Sequence, residues 1–175
     1  VAEAPPLPVV LYNVPSRTGK DMEAHTTLRL AREFQGKIIG VKEASGNLGQ
    51  VSEIIDGKPE GFQVVSGDDS LTLKMLRMGA EGVISVIGNA LPHMFGDLVH
   101  RALANPGDER ADEIDRALQP LDKALFADGN PSGLKCLLSE LGLAHNVLRL
   151  PLVPVCEPVH KAIADALQAC DTGFA

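Results

Sequence analysis

The stretch Ile38-Ile39-Gly40-Val41-Lys42-Glu43-Ala44 decides how the rest of the chain is read. Its β-branched, apolar run has the character of a buried strand, of the kind covered on both faces in a parallel sheet. A lone ammonium ion in such a strand must be paired or must do chemistry. Desolvation disfavours the charged form of a lysine, and the neutral amine is the nucleophile that adds to a carbonyl carbon to give a Schiff base. Lys42 is therefore a candidate covalent catalyst; the plainer alternative is a strand-end lysine reaching into solvent. Alternation along the strand sets Gly40 and Ala44 on the lysine's side, where small residues leave room for a ligand. It sets Ile39, Val41 and Glu43 on the other.

Upstream, Pro8-Val9-Val10-Leu11-Tyr12-Asn13-Val14 reads as a second apolar strand, ended by the turn-forming string Pro15-Ser16-Arg17-Thr18-Gly19. Tyr12 is the one tyrosine of the chain. A phenol can pass protons during imine formation, and the guanidinium of Arg17 can clamp a carboxylate in bidentate fashion. Lysine, tyrosine and arginine at the ends of adjacent strands suit an anionic carbonyl compound.

The chain then repeats a rhythm of strand and helix. Strands are expected at about 8–14, 38–44, 62–68 and 82–87. Amphipathic helices are expected from Glu23 to Phe34, Leu48 to Ile55 with Asn47 as cap, and Ser70 to Met78 with Asp69 as cap and Gly79 as stop. This alternation is the mark of βα units and an α/β fold with a parallel sheet. The remainder reads as helices from Pro92 to Ala104, Asp108 to Leu125, Ser132 to Leu141 and Glu157 to Cys170. The expected division is a βα region over 1–105 and a helical region over 106–175.

Four motifs in this order, Tyr12-Asn13-Val14-Pro15-Ser16-Arg17-Thr18-Gly19, Gly40-Val41-Lys42-Glu43-Ala44, Ser66-Gly67-Asp68-Asp69 and Gly82-Val83-Ile84-Ser85, carry a resemblance to a known family. From Leu7 to about Leu167 the chain resembles the second half of the dihydrodipicolinate synthase (4-hydroxy-tetrahydrodipicolinate synthase) family, which are pyruvate-dependent class I aldolases. The resemblance implies the second half of a (β/α)8 barrel, four parallel strands with their helices, followed by a C-terminal helical segment. It implies that Lys42 forms an imine with pyruvate, that Tyr12 relays protons, and that Arg17 holds the carboxylate of aspartate semialdehyde. Gly67 and Ile84 match positions whose backbone lines the pyruvate pocket, and Asp68 and Asn130 match positions near its entrance. Plainer roles stand beside these: tight turning for Gly67, core packing for Ile84, helix capping for Asp68 and Asp69. Sibling aldolases, such as N-acetylneuraminate lyase and the keto-deoxy sugar acid aldolases, share the tyrosine and lysine but generally lack the arginine, so Arg17 favours the synthase. The resemblance further implies no organic cofactor, no catalytic metal, a homo-oligomer (a tetramer), a place in lysine and diaminopimelate biosynthesis, and a cytoplasmic location, or a plastid if upstream sequence carries a transit peptide.

A (β/α)8 barrel takes about 250 residues, and this chain has 175. The family's first half supplies a Gly-Thr-Thr-Gly-type loop for the pyruvate carboxylate and a second tyrosine from a neighbouring subunit; neither occurs here. The chain is thus read as a fragment of a longer enzyme, inactive alone, with a non-catalytic half-barrel assembly module as the alternative. An isolated half barrel would expose Val10, Val65 and Ile84 on its inner face and unpaired backbone at its edges.

Composition excludes other classes. A net charge of −7 with no basic stripe argues against a nucleic-acid partner, and no apolar run approaches the roughly 18 residues of a membrane span. Cys136, Cys156 and Cys170 are odd in number without a CxxC pair, which fits reduced thiols. His25, His93, His100, His145 and His160 are dispersed, which argues against a metal site. Ser45-Gly46-Asn47-Leu48-Gly49 lacks the full Walker pattern and reads as a capped βα loop. Ala4-Pro5-Pro6-Leu7-Pro8 reads as a short rigid connector.

Overall fold

The computed structural model describes residues 6–174, so the expected connector at 4–8 lies partly outside the described residues. Four strands, β1 (Val9–Asn13), β2 (Ile38–Glu43), β3 (Gln63–Ser66) and β4 (Gly82–Val83), form a sheet in sequential order with every pair parallel. They alternate with α1 (Pro15–Thr18), α2 (Ala24–Glu33), α3 (Leu48–Gly57) and α4 (Thr72–Met78), the βα arrangement expected from the sequence.

One face of the sheet is closed by helices. Ala24, Leu28 and Ala31 of α2 and Ile54 of α3 pack with Ile38 and Val41 of β2, Phe62, and Val64 of β3. Val51 of α3, Met75 of α4 and Ala80 form a second buried cluster. The other face carries exposed Val10, Tyr12 and Ile84, as expected of a half barrel, whereas Val65 is partly buried. The expectation that Lys42 stands in a strand covered on both faces is therefore corrected: in this chain one face is covered.

Strict alternation along β2 also fails at one residue. Val9 pairs with Ile38 but Val10 pairs with Gly40, so Ile39 is an extra residue in the ladder, a β-bulge. The bulge puts Ile38, instead of Ile39, into the core beside Val41. Gly40 is required where it stands, because a Cβ there would sit 2.7 Å from the carbonyl oxygen of Gln63 on β3.

Local signals place the helix ends well. Asn47 caps α3, its side-chain oxygen accepting from the Gln50 N–H at 3.2 Å. Gly79 ends α4 in the left-handed conformation at φ 108°. Asp69 does not cap α4: it opens a 3-10 turn, Asp69–Leu71, that Asp68 caps through its Oδ1 and the Ser70 N–H at 3.0 Å, and α4 follows Leu71 with no side-chain cap. The string after β1 is a single helical turn, α1, closed by Gly19 at φ 68°. The expected fourth strand is shortened to two residues, after which the chain enters a 3-10 turn at Ile87–Asn89.

The chain folds as two compact units. The first takes the described chain up to Ser85 together with Val99–Gly107; the second takes Val86–Leu98 and the chain from Asp108 onward. Helix α5 (Pro92–Ala104) contributes to both. In the second unit α6 (Glu109–Ala127), α7 (Ser132–Glu140) and α8 (Glu157–Phe174) pack on one another. Asp108 caps α6 through the Ala111 N–H at 3.0 Å. Gly133 lets α7 approach α6, since a Cβ would lie 2.0 Å from the Leu125 carbonyl oxygen.

Candidate active site

The parallel register builds the site row by row at the C-terminal ends of the strands, where a (β/α)8 fold places its chemistry. Tyr12 pairs with Lys42, and Lys42 with Val65, so these side chains share the open face. The next row, Asn13, Glu43 and Ser66, turns to the helix face. Beyond it the ladder continues through Ala44 N–H to Asn13 O (2.9 Å), Gly67 N–H to Glu43 O (2.8 Å) and Ile84 N–H to Ser66 O (2.9 Å). Ala44, Gly67 and Ile84 thus return to the side of Lys42.

Lys42 is half-buried, and its Nζ stands 4.3 Å from the centre of the Tyr12 ring, over the ring face. That contact is one an ammonium ion finds attractive. Tyr12 itself is 52% exposed, so its ring and hydroxyl remain open to a ligand. Gly67 has no left-handed φ that would call for tight turning; its neighbours Ala44 and Lys42 leave no room for a side chain. A Cβ at Gly67 would meet Ala44 Cβ at 2.7 Å, Lys42 Cε at 2.9 Å and Lys42 Cγ at 3.0 Å, so glycine leaves the volume that the lysine stem occupies. Ile84 is exposed on the same face, which removes simple core packing as its explanation within this chain.

The other expected residues are placed less closely. Arg17 lies in α1, directly after β1, and is exposed. Asp68 follows β3, with its carboxylate engaged by both the N–H and the hydroxyl of Ser70 (3.0 and 2.7 Å). Asn130 belongs to the helical unit, in the turn between α6 and α7. Its assignment rests on the resemblance alone. Among the described residues no group of three or more His, Cys, Asp or Glu is placed to hold a metal ion, and no helix is long and apolar enough to cross a membrane.

Residues that the sequence reading left without a role lie directly behind the lysine. Asn13 is 2% exposed and Glu43 1% exposed. The Asn13 amide donates to Asp21 Oδ1 (2.8 Å) and to both oxygens of Glu43 (3.0 and 3.1 Å), while its carbonyl oxygen accepts from the Met22 N–H (3.0 Å). Glu43 also accepts from the Ser45 N–H (2.8 Å) and from the amide of Gln50 (3.5 Å). The one signal in the sequence is a carboxylate on the apolar side of a strand.

The model of the dihydrodipicolinate synthetase family matches residues 1–170 of this chain. The chain belongs to that family. It is 50% identical over 167 residues to the 4-hydroxy-tetrahydrodipicolinate synthase of Azobacteroides pseudotrichonymphae, covering 95% of this chain and 56% of that protein. A crystal structure of a dihydrodipicolinate synthase superposes with a TM-score of 0.90 at 43% identity, over 100% of this chain and 59% of that one. The chloride-inhibited synthase of Acinetobacter baumannii, complexed with pyruvate, superposes with a TM-score of 0.91 at 35% identity, over 97% of this chain and 57% of that one. The chain spans about half the length of the curated relatives it matches, and its fold is half of the family's barrel followed by helices.

Proposed function

We propose that this chain is the lysine-bearing part of a 4-hydroxy-tetrahydrodipicolinate synthase, a Schiff-base lyase that condenses pyruvate with aspartate semialdehyde in lysine and diaminopimelate biosynthesis. The observation that carries the reading is Lys42 Nζ standing 4.3 Å from the Tyr12 ring centre, on a face where Gly67 keeps space for the lysine. The neutral amine attacks the keto carbon of pyruvate; the carbonyl oxygen leaves as water, taking up protons that include those shed by the amine, and a carbon–nitrogen double bond forms. The Tyr12 phenol is the neighbouring group suited to relay those protons. Loss of a methyl proton from the imine gives an enamine; its terminal carbon bonds to the aldehyde carbon of aspartate semialdehyde as the C=O π bond breaks and its oxygen takes up a proton to become a hydroxyl. Attack of the substrate's own amino group on the regenerated imine carbon closes the ring and releases the lysine amine. The lysine nitrogen serves as electron sink, so the reading requires neither a metal nor an organic cofactor.

In this reading Arg17 holds the carboxylate of aspartate semialdehyde, which is what separates the synthase from sibling pyruvate aldolases. The backbone of Gly67 and Ile84 lines the pyruvate pocket and Asp68 stands near its entrance, whereas the match of Asn130 to an entrance position is carried by the resemblance alone. Turnover requires sequence equivalent to the remaining part of the relatives, and assembly as a cytoplasmic homotetramer belongs to the same proposal. The test is borohydride reduction in the presence of pyruvate, on the complete protein that carries this chain. Reduction fixes the imine as a secondary amine, so mass spectrometry should find the adduct on Lys42 and lose it in Lys42→Arg. An adduct on another lysine overturns the reading. Arg17→Ala should impair use of aspartate semialdehyde far more than imine formation; equal damage to both steps would assign Arg17 to loop support.

A further inference from the structure

We infer that Asn13 and Glu43 are positioning residues that fix which residue of β2 stands beside Tyr12, an inference that rests on the Schiff-base reading of Lys42. The β1–β2 ladder carries a bulge at Ile39, so the pairing of Val9 with Ile38 does not by itself set the pairing further along. A one-residue slip beyond the bulge would turn Lys42 to the helix face and Val41 to the open face. Main-chain hydrogen bonds alone discriminate poorly between such registers, because every residue offers the same donor and acceptor.

The row after Tyr12 and Lys42 supplies the discrimination. Asn13 pairs with Glu43 in the ladder, and their side chains meet on the helix face. Of the two amide protons of Asn13, one goes to Asp21 and the other is shared by the two oxygens of Glu43. The amide oxygen holds the Met22 N–H, which ties the segment before α2 to the same point. Gln50 of α3 reaches in from the other side, to Asp21 (3.3 Å), the Met22 carbonyl (3.2 Å) and Glu43 (3.5 Å). With the Ser45 N–H, donors converge on the Glu43 carboxylate from β1, from the loop after β2 and from α3.

An apolar pair would fill the same buried volume without the cost of burying a carboxylate. What the polar pair adds is that only one register satisfies it, since a slipped strand would leave Glu43 or Asn13 buried without its partners. Tyr12 and Lys42 sit on the open face, where this chain packs little against them, so their relative placement depends on what holds the backbone from behind. Near-attack geometry is sensitive to shifts of about 1 Å.

The experiment uses the complete protein that carries this chain, with three readouts: the rate of borohydride-trapped imine formation at saturating pyruvate, the pyruvate concentration giving half that rate, and thermal melting. Glu43→Gln keeps the shape but replaces one accepting oxygen with an NH2 group where the donors of Asn13, Ser45 and Gln50 converge. It should slow trapping by about tenfold or more while the half-saturating pyruvate concentration moves by less than about threefold. Exchanging the roles, Asn13→Asp with Glu43→Gln, together with Asp21→Asn so that the new carboxylate meets a donor there as well, restores a donor facing each acceptor and should bring the rate back to within about threefold of the unsubstituted protein. A merely structural role would lower the melting temperature without a rate loss in the folded fraction, and that result overturns the inference. So does an exchanged pair that is no faster than Glu43→Gln. Absence of any pyruvate adduct on Lys42 in the unsubstituted protein would overturn the Schiff-base reading, and this inference with it; an intact adduct whose rate ignores these substitutions overturns the inference alone.

Discussion

The two faces of the four-stranded sheet are made by the same strands, yet they are built to opposite rules. On the helix face Val41, Val64 and Ile54 are fully buried, and even the polar residues Asn13, Glu43 and Ser66 are buried and hydrogen-bonded. On the open face Val10, Tyr12 and Ile84 are exposed, and Lys42 is half-buried. Within the sheet, burial is concentrated on one face, and the lysine proposed to react stands on the other. A lysine on a fully packed face would have no path for a substrate, and an exposed face can carry a reactive group only if the packed face holds the strands in place.

The largest effect expected of this difference concerns the chain by itself. Assayed with pyruvate and aspartate semialdehyde, the 175-residue chain should show no synthase turnover although it contains Lys42, Tyr12 and Arg17. In the proposed reading the groups that complete the pocket lie in the part of the relatives that this chain does not span, and misplacement by about 1 Å already costs roughly a hundredfold in rate. Turnover matching a complete synthase, from a monodisperse monomer in light scattering, would break the comparison.

Next in size is Gly67→Ala in the complete protein. The added methyl falls within 3.0 Å of the Ala44 and Lys42 side chains. Imine trapping with pyruvate should slow by about ten- to a hundredfold, while overpacking costs about 1–3 kcal/mol in denaturant unfolding. A variant with an unchanged trapping rate would show that the lysine stem has room to move aside.

Stability measurements on the chain alone compare the faces directly. Ile54→Ala, on the helix side, should cost about 2–5 kcal/mol through cavity formation, whereas Val10→Ala, on the open face, should stay within about 0.5 kcal/mol. Equal costs would mean that the open face is covered in solution, by association of chains or otherwise.

The smallest effect belongs to the helical unit and serves as a control on both faces. His160 Nε2 on α8 lies 2.8 Å from Glu140 Oε1 on α7, and this contact, with the charges of Glu140 and Glu157, raises the His160 pKa above its usual 6.5. A raised histidine pKa stabilises the folded form fully below the unfolded value and loses that contribution as pH rises through the folded value. Melting temperature should therefore fall slightly between about pH 6 and pH 8, a dependence that His160→Ala removes. Both partners are substantially exposed, so solvent screening keeps the effect small. Persistence of the same pH dependence in His160→Ala would move its source elsewhere.

Much of the helical structure was legible because its signals are local. Asn47 and Asp108 cap the helices they precede, Gly79 ends α4, and the apolar period of α2 matches the face it buries. The choice between Asp68 and Asp69 was harder. A 3-10 turn intervenes, and either residue satisfies the same local pattern. The end of β4 is hidden for a different reason: Ile84, Val86 and Ile87 keep the β-branched composition of a strand, but the chain bends after Ile84 into a 3-10 turn.

The sequence by itself determined the chemistry on offer: an amine within an apolar strand, a phenol and a guanidinium at the end of its neighbour, and the motif order that marks the family. These are properties of residue type and near spacing, which travel with the chain whatever it packs against. Only the tertiary structure decided that Ile39 is the bulge residue, that a side chain at Gly67 would press on Ala44 and the Lys42 stem, and that Glu43 is held by Asn13 and Gln50 behind the lysine. Each of these joins atoms separated by many residues along the chain and brought together by the parallel register. Such contacts leave no period in the sequence, because the distance that creates them is measured across strands and not along them.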